Sequence, residues 1–162
     1  MTGARSAGSA TSSDREAVEA LIGRPAFAGF EVAVRCPFGA PAVVRNRPRD
    51  SRGRPFPTRD WLTCRALADA VSRLEAAGGV RMLEEDDAMR EPLLAAHRRH
   101  AALHDGHRVA GGGDPDHVKC LHAHLAFAMD EGGSPVGDWI AARADVRWPE
   151  RCCLDRHGGT GA

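Results

Sequence analysis

The chain reads as an α+β fold, with a small antiparallel sheet in the N-terminal half packed with three to four helices from the C-terminal half. Three observations predict it. Apolar residues alternate at Phe30, Val32 and Val34, the period of a half-buried strand. Leu67, Ala70, Val71 and Leu74 recur at the helical period instead, and Gly78-Gly79 end that run. Strand-like segments come first and helix-like segments later, without the strand–helix alternation of a parallel sheet.

Taken in order, residues 1–12 are small and polar and are expected to form a disordered tail. Ser13-Asp14-Arg15-Glu16 has capping-box spacing, and Val18, Leu21 and Ile22 follow as the apolar side of a short helix that Gly23 and Pro25 close. After the Phe30–Val34 strand, Cys36-Pro37-Phe38-Gly39-Ala40-Pro41 is a turn and Ala42–Arg45 the returning strand. Residues 46–57 form an Arg-, Pro- and Gly-rich loop, and Thr58–Cys64 is a third strand. Helices are expected over Arg65–Ala77, over Glu84–His104 with a reset at Pro92, and from the Asp114-Pro115 cap to about Met129. Gly132–Gly137 reads as a turn. Residues 151–162 read as a flexible C-terminal tail, which leaves 13–150 as a single domain.

Composition excludes several classes. At 162 residues, 43% hydrophobic and 27% charged, the chain suits one globular domain. Its formal net charge of zero gives no overall attraction to nucleic acid or acidic membranes. No apolar run approaches the roughly 20 residues of a membrane span. The first residues lack the apolar core of a secretory signal, so a cytoplasmic location is expected. Five cysteines in that setting point to metal binding, catalysis or plain burial rather than disulfides. Phosphate-binding loops, nucleophile elbows and H-E-x-x-H pairs are absent from the sequence.

The densest chemistry lies in Lys119-Cys120-Leu121-His122-Ala123-His124, which holds a thiol, two imidazoles and the only lysine. In a regular helix Cys120 and His124 share a face, His117 lies close to it, and His122 points about 200° away. If Cys120 sits in an irregular first turn instead, His122 becomes its partner. A zinc site needs about four ligands, and Cys36, Cys64 and Cys120 with one histidine would supply them. Replacing the histidine with Cys152 makes a four-cysteine set for zinc or an iron–sulfur cluster. No close-spaced C-x-x-C pair marks either set, and buried core thiols are the competing reading. Cysteine-dependent catalysis is a third, with Cys120 as nucleophile and His122 or His124 as base. Six arginines, Arg45, Arg47, Arg49, Arg52, Arg54 and Arg59, crowd the long loop without an aromatic ladder, which reads as a solvated loop rather than an RNA surface. His97, His100, His104 and His107 fall on one helix face, read as wet and exposed.

In order along the chain stand Arg35-Cys36-Pro37-Phe38-Gly39-Ala40-Pro41-Ala42-Val43-Val44, Arg54-Pro55-Phe56-Pro57-Thr58, Leu62-Thr63-Cys64, Val71-Ser72-Arg73-Leu74-Glu75, Val118-Lys119-Cys120-Leu121-His122-Ala123 and Pro135-Val136-Gly137. This set resembles a bacterial, mainly actinobacterial, domain-of-unknown-function family, number 501, over roughly Phe30 to Trp148. The resemblance implies that Cys36, Cys64, Cys120 and His122 belong to the family's motifs, and it favours His122 over His124. Family members are often encoded near a septum-formation initiator and an exopolyphosphatase-like enzyme, which implies a protein partner in cell division or polyphosphate metabolism. The chain departs from the family at Asp60-Trp61, where two tyrosines are usual, at Arg65, where proline is, and at Ser134, where asparagine is. The expected protein is therefore a cytoplasmic metal-binding or thiol-bearing accessory protein centred on Cys36, Cys64, Cys120 and His122. An interaction module with buried cysteines is the alternative.

Overall fold

A computed structural model describes residues 4–5, 9–26, 29–111, 114 and 117–157, with backbone alone at 4, 5, 156 and 157. The strands are β1 (Ala4–Arg5), β2 (Phe30–Arg35), β3 (Pro41–Asn46) and β4 (Asp60–Leu62). They lie side by side in chain order and all pair antiparallel. The helices are α1 (Ser12–Ile22), α2 (Arg65–Ala76), α3 (Gly79–Glu84), α4 (Arg90–Leu103), α5 (Leu121–Glu131) and α6 (Pro135–Ala144). This is the α+β arrangement the sequence predicts.

Both faces of the sheet are covered. Phe30, Val32 and Val44 pack on Val18 and Ile22 of α1. Ala33, Val34 and Val43 pack on Ala126 and Met129 of α5. Adjacent Ala33 and Val34 belong to the same cluster because the register slips there: Val32 opposes Val44, and Val34 opposes Val43. That bulge disturbs the strict alternation, so a β2 that looks half-buried in sequence is buried on both sides. A second core joins α2, α3, α5 and α6 through Val71, Leu74, Leu83, Leu121, Leu125, Trp139 and Ile140.

Several boundaries differ from the expectation, each for a local reason. The capping box of α1 is Thr11 with Asp14, two residues ahead of the predicted Ser13 start, and Asp14 also binds Arg35 of β2 at 2.8 Å. The expected N-terminal tail contributes β1 and a bridge from Ser9 to Glu31. The predicted Glu84–His104 helix is interrupted before Pro92: Asp86 accepts the Ala88 N–H in a short 3-10 turn, and α4 restarts at Arg90. Pro92 then sits in a first turn, where its missing N–H costs nothing. The Gly132–Gly137 turn is shorter than expected. Ser134 accepts the Gly137 N–H, Pro135 opens α6, and bare Gly137 lets α6 press on Ala128, whose Cβ would lie 2.3 Å from any Cβ there. Cys152 and Cys153, within the segment expected to be a flexible tail, are buried beside Leu21 and Leu67.

The arginine-rich segment is largely neutralised by carboxylates. Arg45 holds Asp130 of α5 in a two-point contact, Nε–Oδ2 at 2.8 Å and NH2–Oδ1 at 2.5 Å. Arg59 bridges Asp60, Asp130 and Glu131, and Arg54 pairs with Asp50. Arg45 and Arg59 thus clamp the end of α5 to the sheet. Burial and the neighbouring Asp130 push the Asp60 carboxyl up to about 8, against the pull of Arg59. Asp130 is also buried, but its hydrogen bonds from Arg45 and Asp60 hold it below the usual carboxylate range.

Candidate functional site

The geometry around Cys120 turns on where α5 begins. Pro115 and Asp116, inside the predicted start of that helix, lie outside the described residues, and 117–120 are not helical. The helix starts at Leu121 with Cys120 as its N-cap, in extended conformation at φ −160° and ψ 120°. Two glutamates explain the late start. Glu84 accepts the Val118 N–H and Glu75 accepts the Leu121 N–H, each at 2.7 Å. Carboxylates from α2 and α3 therefore satisfy backbone donors that an earlier helical turn would have left bare.

With Cys120 outside the helix, its thiol reaches the imidazole two residues on. Cys120 Sγ lies 3.7 Å from His122 Nδ1, and Glu75 Oε1 lies 3.3 Å from the same nitrogen. Among the described residues, these three form the group of ligand atoms that all lie within 4.8 Å of one another. The far side of the ring is anchored to α2. His122 Nε2 is 3.0 Å from the Ala68 carbonyl and 3.1 Å from Ser72 Oγ. A carbonyl only accepts, so Nε2 carries the proton. In neutral His122 the Nδ1 lone pair then faces the thiol and the carboxylate. The hydrogen bond with Cys120, opposed by burial and reinforced by Glu75, pushes His122 up to about 9.

This group borders a cleft of about 420 Å³ lined by Ile22, Arg24, Trp61, Lys119, Cys120 and His122, among others. Arg24 stacks on Trp61 at 4.9 Å, so the cleft combines an apolar floor with two cationic side chains at its edge.

The sequence-predicted ligands separate into three places. Cys120 and His122 meet as the resemblance implies. Cys36, Cys64 and Cys152 instead share a buried cluster with Cys153, Leu21 and Leu67, and belong to no group of three ligand atoms with Cys120. The four-member site of Cys36, Cys64, Cys120 and His122 is therefore not formed. Cys36 follows the last residue of β2 and Cys64 is the N-cap of α2, and both line a small cavity with Cys152 and Cys153, whereas Cys120 and His122 line the cleft. His124 faces the interior with His97 and does not contact the thiol face. The histidine face of α4 is also inside: His97, His100 and His104 are 4%, 1% and 1% exposed, contrary to the expected wet surface. Their hydrophilic appearance in sequence hides ring packing on one another and on Phe127.

Glu75 and Ser72 had no assigned role in the sequence reading. Ala68, Ser72 and Glu75 recur at i, i+4 and i+7, one helix face, and that spacing was the available signal.

Fold and site together define a small α+β protein with a thiol, an imidazole and a carboxylate gathered beside a cleft. Residues 32–108 match the family described as a protein of unknown function, DUF501, which places that region of the chain in the DUF501 family. Glu75 and Ser72 lie within the matched stretch; Cys120 and His122 lie beyond it. No curated protein and no solved structure matches the chain. Among the described residues, no helix is long and apolar enough to cross a membrane.

Proposed function

We propose that Glu75, Cys120 and His122 bind one zinc ion and leave a coordination position open to the cleft. The observation that carries this reading is the convergence of Sγ, Nδ1 and Oε1 within 4.8 Å while Nε2–H is committed to the Ala68 carbonyl. Zinc accepts this sulfur, nitrogen and oxygen set, and three protein ligands plus one open position is the pattern of a reactive rather than a structural zinc. The backbone anchor on the distal ring nitrogen is the support that metal-binding histidines ordinarily have. A thiolate and a carboxylate together balance the charge of a divalent ion. When bound, zinc would supply Lewis acidity toward a ligand in the cleft. Lys119 and Arg24 would hold an anionic group of that ligand, and Trp61 its apolar part.

A second reading is favoured by the elevated proton affinity of His122. Without metal, Cys120 would act as the nucleophile and His122, 3.7 Å away, as the base beside it.

Zinc content of the untagged protein separates the two. The metal reading expects Cys120→Ala to hold one equivalent less than wild type. Equal content in the two proteins, with rapid alkylation of Cys120 at neutral pH, would leave only the nucleophile reading.

A further inference from the structure

The cleft accounts for one cysteine of five. The other four lie together around a small cavity lined by Leu21, Pro41, Cys36, Cys64, Cys152 and Cys153, among others. They come from three parts of the fold: Cys36 from just after β2, Cys64 from the cap of α2, and the adjacent Cys152 and Cys153 from the C-terminal segment. All are less than a tenth exposed.

We propose that Cys36, Cys64, Cys152 and Cys153 form a structural tetrathiolate site for zinc, which ties the C-terminal segment to the sheet and to α2. The four-cysteine set expected from the sequence has Cys120; the fold puts Cys153 in its place. Two features of the cluster suit the ion, the spacing of one sulfur pair and the cavity that all four thiols share. Cys64 Sγ and Cys153 Sγ are 3.9 Å apart. Zinc–sulfur bonds of about 2.3 Å place tetrahedral sulfurs about 3.8 Å apart, so this pair already spans one edge of such a site. Cys36 and Cys152 line the same small cavity as that pair. The N-terminus of the 12-residue helix α2 adds its positive end beside Cys64.

No three of the four sulfurs yet lie within 4.8 Å of one another. The ion would draw the two pairs together, with the short Cys152–Cys153 segment as the element that shifts. Four S–H bonds break, four zinc–sulfur bonds form and four protons pass to solvent; no electrons are transferred. Burial, which pushes the free Cys64 thiol up to about 12, is then offset by the charge of the ion.

The test uses the full chain carrying Cys120→Ala, which removes the thiol of the cleft site and keeps the two proposals separate. Purified without a tag, this protein is expected to hold about one equivalent of zinc. Adding Cys64→Ser and Cys153→Ser should abolish that equivalent. Since the doubly changed chain could fail to fold, a second measurement uses the folded Cys120→Ala protein alone. After chelation, titration with cobalt(II) should produce a sulfur-to-metal charge-transfer band that saturates at one equivalent, with the intensity of four thiolates. A chain that copurifies without zinc and shows no such band overturns the proposal. So does a native mass deficit showing that the two cysteine pairs are disulfides, or undiminished zinc in the doubly changed chain.

Discussion

His122 and His124 are separated by one residue on α5, and their surroundings drive them in opposite directions. His122 reaches back across the helix start to a thiol and a carboxylate, and its proton affinity rises to about 9. His124 points inward, 2% exposed and beside the rings of His97, with Nε2 lacking a partner among the described residues. Burial first, then the neighbouring histidines and Arg108, hold its pKa down near 3. One imidazole has been given negative neighbours and a route to the cleft. The other has been treated as a core side chain that must stay neutral. Residue type alone assigns neither role. The side chains supplied by α2 and α4 do.

The comparison breaks most sharply on metal binding. His122→Ala should weaken zinc binding at the cleft by about a hundredfold or more, since losing a supporting residue alone costs about 10–100-fold. His124→Ala should leave that affinity unchanged while lowering stability by about 2–4 kcal/mol. Calorimetric zinc titration and denaturant unfolding of both variants check the contrast, and equal metal loss in both would dissolve it.

Acidity is the second lever. His97 and His100 are held near 4, and His124 near 3, chiefly by burial. Each folded value lies below the unfolded one, so the unfolded chain takes up more protons as pH falls below about 6.5. Each of these rings therefore removes about 1.4 kcal/mol per pH unit between about 6.5 and its folded value. Asp60, raised to about 8, works in the opposite direction over that range. Unfolding free energies measured between pH 7 and 5 should fall in the wild type, and fall less steeply in His100→Gln. An unchanged slope in that variant would mean that His100 already accepts a proton in the folded state. His122 has the reverse sign: its contribution is complete below about 6.5 and is lost as pH rises through about 9.

A finer distinction concerns polarity in the core. Because His124 Nε2 has no partner among the described residues, His124→Leu should be neutral or stabilising by about 1 kcal/mol at pH 7. Destabilisation well beyond that, by thermal melting, would show that the nitrogen is paired. The smallest effect is expected at Ser72. Ser72→Ala removes one of two contacts to His122 Nε2, and the Ala68 carbonyl retains the other. Zinc affinity should fall by less than about tenfold, and a greater loss in titration would make the hydroxyl the principal anchor.

Some of this was legible before the fold. The strand period at Phe30, Val32 and Val34 and the stripe of α2 from Leu67 to Leu74 marked real elements, because single-face burial writes itself into spacing. Within the cluster from Lys119 to His124, Cys120 and His122 do meet. Its internal pairing was not legible, since it depended on the turn in which α5 begins. That turn was set by Glu75 and Glu84, distant in sequence from Cys120. Histidines on α4 looked exposed because polar residues usually are, and nothing local announced the rings that receive them.

By itself the sequence determined the α+β class, the extent of its strongest helix and strands, and the presence of thiols and imidazoles fit for metal or nucleophilic chemistry. Only the tertiary structure decided which of them meet. It joined Cys120 and His122 to Glu75 and sent Cys36 and Cys64 to a separate cluster with Cys152 and Cys153. The physical reason is range. Backbone periodicity is a property of neighbours a few residues apart, whereas a ligand set is fixed by which helix faces and strand ends are packed together, and that packing is settled by burial summed over the whole chain.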